Sequence, residues 1–283
     1  GWSTLSNPSY VRKLVNDAGL ADCNAAKAPL SKDTLKEIAG EVELEQFLDN
    51  QGKTEFQAAM GEFQWLVQTT HPDIAVATSA LSKYCSKPTP TCIKAVKQVI
   101  RYLSGRVEQG FRYDKGDGTG LVVWSDSDHA GLHAINGELR SRMGIAVMYN
   151  GHLIHWVSKL IQGIMTSSCE AELHALSEAV RLAMHFRYIG EELGIPMPTR
   201  VPVMVDAAAA IAFANNTLGV GRMKHLDLRS AWVRQVKTCE HVEITKVKGT
   251  VNVADYFTKI LPVGQFRDDT QALIQPLHVG GHV

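Results

Sequence analysis

Hydrophobic positions in the first third of the chain recur at helical spacing. Tyr10, Val11, Leu14 and Val15 share one face, and Gly19 just beyond them supplies a stop. Phe56, Met60, Phe63 and Val67 repeat every three or four residues and predict a helix from Thr54 onward. Pro72 and Asp73 suit a helix start, and Ile74, Ala77, Leu81 and Tyr84 continue it. Ile93, Val96, Ile100 and Leu103 line a third helix over about 91–103. The polar stretch 31–55 predicts an exposed connection with one short helix around 41–48.

The period changes after the glycine-rich segment 114–120, which predicts a linker. Residues 121–125 predict a strand that stops at Asp126. Strands over 143–149 and 152–158 flank Asn150-Gly151, the residue pair best suited to a two-residue hairpin. Ser167 and Glu170 make a capping box ahead of a long helix. Its apolar stripe is Leu173, Leu176, Val180, Met184 and Tyr188, and Gly194 with Pro196 ends it. A strand over 201–205 stops at Asp206. Helices over 207–215 and 224–238, a strand over 242–247 and a short helix over 252–260 bearing Asp255 follow. Three consecutive antiparallel strands and then β–α alternation predict an α/β fold, a mixed sheet with helices on it.

Composition narrows the picture. Of 283 residues 45% are hydrophobic and 20% charged, enough apolar material for a proper core. Lysine and arginine total 29, as do aspartate and glutamate, so no global basic field attracts nucleic acid. The five cysteines form no Cys-x-x-Cys pair, which argues against a disulfide framework or zinc ribbon and suits a reducing intracellular setting. His129 and His133, and His152 and His155, lack a third ligand for zinc. No apolar run approaches the ~18 residues that span a bilayer. The chain begins at Gly1 rather than methionine and reads as a piece of something longer.

Four acids fall on four different elements: Asp126, Glu172, Asp206 and Asp255. Each alone reads equally as a cap, a turn residue or a solvated face. Brought together, four carboxylates would force at least one pKa up unless cations sat among them. Mg²⁺ suits such a cluster because it takes hard oxygen ligands, and two ions about 4 Å apart can activate water and steady a leaving oxygen. Glu170 and Glu172 point about 200° apart on a helix, so only one of them can face the sheet.

Several ordered stretches carry a resemblance. Trp124-Ser125-Asp126-Ser127-Asp128-His129-Ala130-Gly131 is similar to the "YSDADWAG" signature of copia-type LTR retrotransposon ribonuclease H domains. Thr166 to Leu173 resembles that family's "LSSTEAEY", Lys224 to Arg229 its "KHIDIR", and Ala254 to Lys259 its "ADIFTK". Upstream, His71 to Ala75 and Val99 to Gly105 resemble its "RPDIA" and "LRYLKG". The resemblance runs from about Leu5 to Pro262.

It implies a ribonuclease H-like mixed five-stranded sheet with flanking helices, preceded by a small mainly helical connection region. The implied division is a reverse transcriptase tail over 1–33, a linker over 34–55, a connection region over 56–118, a ribonuclease H-like domain over 119–262 and a tail over 263–283. Asp126, Glu172, Asp206 and Asp255 would be both catalytic and metal-binding, holding two Mg²⁺ ions, with Mn²⁺ able to substitute, and Glu172 rather than Glu170 is the matching acid. Ser127, Arg222, Lys224 and His225 would touch substrate, and Asp128 would be support.

The implied reaction is hydrolysis of the RNA strand of RNA–DNA hybrids within a reverse transcriptase polyprotein, with an upstream polymerase domain as partner. The setting would be a cytoplasmic virus-like particle or the nucleus, without membrane attachment. No Tyr-x-Asp-Asp motif occurs, so polymerisation is not expected of this chain. Ala207 to Ala210 stand where the family has Asn-Gln-Ser-Ala-like polar groups. Gln57, Arg142-Met143, Val157 and Leu160 also depart from it, with a net loss of basic groups and weaker phosphate attraction. These departures motivate an alternative, a catalytically decayed remnant that keeps the fold as a nucleic-acid-binding or interaction module.

Overall fold

The computed structural model describes residues 1–215, 224–261, 263–264 and 275–276. They fall into two units, one of 1–114 with 132–138 and 260–283, the other of 115–131 with 139–259.

The first unit carries strand β1 (Ser3–Leu5) and helices α1 (Pro8–Asp17), α2 (Lys32–Glu43), α3 (Asn50–Thr69), α4 (Ala75–Ser82) and α5 (Pro90–Ser104). Strand β2 (Gln109–Tyr113) and the short helix α6 (His133–Asn136) complete it. Gly19 at φ +66° ends α1, and the Leu20 N–H turns back to donate to the Val15 carbonyl. That αL residue is the stop expected there.

Three features differ from expectation. The segment expected to be a connection with a short helix near 41–48 instead forms α2, twelve residues long. The Ser31 hydroxyl caps it by accepting from the Thr34 N–H at 3.1 Å, and Leu35 and Ile38 are fully buried. Two apolar anchors in a polar stretch sufficed, a tertiary effect that a propensity sum hides. Strand β2 was not anticipated either. It pairs antiparallel with β1, which was equally unexpected, Ser3 opposite Tyr113, and on its other side with Gln275–Pro276. The third is α6, in a stretch for which no element was expected.

Under these helices lies a buried polar cluster. Asp73 is 3% exposed and accepts from the Tyr102 hydroxyl at 2.6 Å. Its other neighbours are the His71 ring nitrogen at 3.5 Å and the Arg106 guanidinium at 3.8 Å, and Arg106 also stacks 4.5 Å from the Tyr102 ring centre. Burial pushes the Asp73 carboxyl up, but His71, Arg106 and Tyr102 together hold it below its usual value.

The second unit is built on β3 (Leu121–Asp128), β4 (Arg142–Tyr149), β5 (His152–Leu160), β6 (Val201–Val205) and β7 (Val242–Lys246). Helices α7 (Ser168–Glu192), α8 (Ala208–Ala214) and α9 (Lys224–Thr238) accompany them. The sheet order is β5-β4-β3-β6-β7. β3, β4 and β5 run antiparallel, and β6 and β7 are parallel to β3. Asn150 at φ +49° and Gly151 at φ +80° make the hairpin turn, both left-handed as its geometry requires. Leu121, Val123, Ile145, Val147 and Val203 pack against Leu176, Val180 and Ala183 of α7. This is a five-stranded mixed sheet with flanking helices, as expected.

Here too there are corrections. β3 continues through Asp128 instead of stopping at Ser125, so Asp126 lies inside a strand. The expected final helix is two 3-10 turns, Gly249–Val251 and Val253–Phe257. Tyr188, expected on the apolar stripe of α7, is 55% exposed. Among the described residues no helix is long and apolar enough to cross a membrane.

Candidate metal centre

Strand alternation sends Trp124 and Asp126 to one face of β3 and Val123, Ser125 and Ser127 to the other. β6 joins β3 in parallel with Val205 opposite Ser125. The next residue on each strand is an aspartate, so the register alone sets Asp206 beside Asp126. Two distant sequence positions become neighbours by pairing geometry.

Asp255 arrives on the second 3-10 turn, which is stitched to the sheet at three points. The buried Asn252 amide donates to the Ser125 carbonyl at 3.1 Å while its oxygen accepts from the Ala254 N–H at 3.1 Å. The Ser158 hydroxyl donates to the Phe257 carbonyl at 2.7 Å, and the Thr258 hydroxyl donates to Asp126 Oδ2. Gly144, opposite Asp126 in the ladder, makes the close approach possible. A Cβ there would lie 2.5 Å from the Ala254 carbonyl oxygen and 2.9 Å from Phe257 Cβ. Gly144→Ala should therefore cost about 1–3 kcal/mol of stability by overpacking and push Asp255 outward. Thermal unfolding of the variant checks the first effect and its divalent-ion affinity the second; wild-type values for both would show that the turn yields freely.

Carboxylate oxygens of Asp126, Asp206 and Asp255 all lie within 4.8 Å of one another. Asp126 is only 2% exposed. Its pKa is pushed up to about 8 by burial and by the charge on Asp255, with Lys259 and Thr258 pulling the other way. Glu172, in the first turns of α7, stands outside that trio. Burial and the Asp206 charge push it up to about 7, and Ser127 and Lys259 hold it back. Lys259 Nζ is 2.9 Å from Asp255 Oδ1 and 3.4 Å from Asp126 Oδ2. The donor set is all carboxylate oxygen, with Asp126 buried, Asp206 and Asp255 partly so, and Lys259 the cation found against two of the three. That chemistry fits a hard divalent cation such as Mg²⁺ or Mn²⁺.

Of the residues singled out from sequence, three aspartates meet in one cluster and Glu172 stands next to it. Ser127 lies against Glu172. Lys224 and His225 begin α9, but their side chains lie outside the described residues, as does all of Arg222. Glu170 faces away from the acids: its carboxylate accepts from the Thr166 N–H at 2.7 Å, and the Ser167 hydroxyl caps the Glu170 N–H at 3.1 Å. The Asp128 carboxylate packs against Gly131, where a Cβ would fall 2.0 Å from its Oδ2. Asn252, Thr258, Lys259 and Gly144 were missed. Lys259 lies four residues after Asp255, an ion-pair spacing that could have flagged it.

No protein-family model matches the chain. It is 28% identical over 265 residues to the Retrovirus-related Pol polyprotein from transposon TNT 1-94 of Nicotiana tabacum, 93% of this chain and 19% of that one. It is 31% identical over 216 residues to the corresponding Pol polyprotein from transposon RE1 of Arabidopsis thaliana, 76% of this chain and 14% of that one. The chain belongs to the copia-type retrotransposon Pol family. It spans less than a fifth of the length of these relatives. Among solved structures, LC11-RNase H1 in complex with an RNA/DNA hybrid aligns at 16% identity and a TM-score of 0.37, covering 49% of this chain and 93% of that one.

In this copia-type chain the residue after Asp206 begins an alanine run, and α8 starts at Ala208 with Ala210 fully buried. The polar groups expected beside Asp206 are therefore replaced by a small-residue helix start that packs into the core. Arg142, which replaces a small residue of the family signature, is 3% exposed and so adds no cation to the open surface.

Proposed function

We propose that the second unit hydrolyses the RNA strand of RNA–DNA hybrids, as the nuclease portion of a retrotransposon reverse transcriptase polyprotein. The observation that carries this reading is the meeting of Asp126, Asp206 and Asp255 within 4.8 Å on a ribonuclease H-like sheet. Asp126, Glu172, Asp206 and Asp255 would hold two divalent ions, and bound ions would supply the charge that activates water and steadies the leaving oxygen. The remaining work falls to protein groups. Thr258 fixes the orientation of Asp126, Ser127 steadies Glu172, and Asn252 with Gly144 keeps Asp255 against the sheet.

The direct test is a strand-labelled hybrid incubated with the protein in Mg²⁺ and in Mn²⁺, with EDTA as control. The expected products are shortened RNA and intact DNA, and only with metal present. A second reading, a decayed member that binds hybrid without cutting it, is favoured by the Ala207 to Ala210 run beside Asp206. Hybrid retention with no cleavage in either metal would select it.

The acids also fix how metal binding responds to pH. Their folded pKa values, about 8 for Asp126 and about 7 for Glu172, lie above the ordinary carboxylate range. A raised acid favours the folded protein at low pH, and that contribution is lost as pH rises through 7 to 8. Cations compete with those protons. The rise in melting temperature on adding Mn²⁺ should therefore be larger at pH 9 than at pH 6, as followed by scanning fluorimetry. An equal rise at both would mean the ion binds elsewhere.

A further inference from the structure

We propose that Lys259 is the resident counter-ion of the carboxylate cluster, which a divalent cation must displace, so that one ammonium sets how much metal the site needs. The proposal rests on the metal reading above and deepens it. Lys259 Nζ bridges Asp255 Oδ1 at 2.9 Å and Asp126 Oδ2 at 3.4 Å, two carboxylates of the 4.8 Å trio. It stands where positive charge is most needed. Asp126 Oδ2 also accepts the Thr258 hydroxyl. A carboxylate oxygen offers two lone-pair sites, and here the hydroxyl hydrogen-bonds to this one while the ammonium crowds it at 3.4 Å. A metal ion using that oxygen must replace one of them. The neutral hydroxyl can stay beside a cation, whereas the ammonium is repelled by it.

The side chain is built to leave. Its ammonium sits on a four-carbon stem with many rotamers, and the side chain is 37% exposed, so water is within reach once the contacts break. Asp126, at 3% side-chain exposure, cannot follow it. An ordinary surface ion pair would contribute little and compete with nothing. This one ties a long, flexible side chain to two mutually repelling acids, one of them buried. Without metal it holds the two carboxylates at close range, and with metal the same charge opposes entry. Stability of the empty site and affinity for the ion are thus set against each other through a single residue.

The test compares wild type, Lys259→Gln and Lys259→Arg, reading metal-free melting temperature and Mn²⁺ affinity by calorimetry. Lys259→Gln should melt lower without metal yet bind Mn²⁺ about tenfold or more tightly, since like charges in a partly buried site repel strongly. Lys259→Arg keeps the charge and should bind like wild type. A purely structural lysine would lower both quantities together, and unchanged or weaker Mn²⁺ binding by Lys259→Gln overturns the proposal while leaving the metal site intact. No Mn²⁺ binding by either wild type or Lys259→Gln overturns the metal reading and this one with it. A second measurement needs no variant: acylation of Lys259 in wild-type protein, read by mass spectrometry, should rise when Mn²⁺ is added. Equal labelling with and without the ion counts against displacement.

Discussion

Asp126→Asn should lose about a thousandfold or more in hybrid cleavage and, in metal-free buffer, melt at a higher temperature than wild type. The activity loss follows from removing one anionic ligand from a site whose ions would supply several kcal/mol of transition-state stabilisation, with each ~1.4 kcal/mol worth tenfold. The stability gain has a separate origin. Asp126 is 2% exposed beside Asp255, and its pKa near 8 means that ionising it weakens the folded state. Asparagine has the shape of the protonated form and can still accept from Thr258. By linkage the gain should be small at pH 5, where wild type holds its proton, and reach on the order of a few kcal/mol at pH 9. Cleavage at the wild-type rate would remove Asp126 from the reaction. A lower metal-free melting temperature at pH 9 would mean that the ion pair with Lys259 outweighs the cost of burying the charge.

The largest effect on stability is expected far along the chain, at Asp73. Asp73→Ala removes the acceptor of the Tyr102 hydroxyl and the buried carboxylate that His71 and Arg106 share. Breaking a buried charged cluster on one side typically costs about 3–5 kcal/mol, several times the penalty for a surface pair. Glu178→Ala supplies the contrast. It removes the exposed ion pair with Arg181, 2.6 Å long, and should cost no more than about 0.5 kcal/mol. Chemical denaturation of the two variants measures both, and similar small losses would show that the buried cluster is dispensable. The sign with pH also follows. Asp73 is held below its ordinary pKa, so its contribution is present above the unfolded value and disappears only as the folded carboxyl is protonated in acid.

How far the fold could be read from the residues depended on how local the deciding forces were. The Asn150-Gly151 hairpin, the Gly19 stop and the Ser167 cap were legible because a few adjacent residues decide each. Helix α2 was not, since its two buried anchors matter only once a neighbouring helix is there to bury them. Asp126 illustrates both sides. Its place beside Asp206 follows from strand register, but a carboxylate inside a continuing strand looks from sequence like a strand end. The roles of Gly144 and Thr258 depend on contacts made across the sheet with a segment more than a hundred residues away in the case of Asp126 and Thr258, and no periodicity encodes them.

The sheet order has a consequence for how the protein is made. β3, the first strand of its sheet to leave the ribosome, is the central one. The β4–β5 hairpin follows at once and covers one edge. The other edge stays open until Val201–Val205 emerges, after the whole of α7 has been synthesised. An unpaired central edge is a template for wrong pairing, so this interval is when the nascent chain is most exposed to aggregation. The acids follow the same schedule: Asp126 and Glu172 are in place early, Asp206 later and Asp255 last. A ribosome stalled between β7 and that final turn holds all five strands of the sheet with an unfinished metal site.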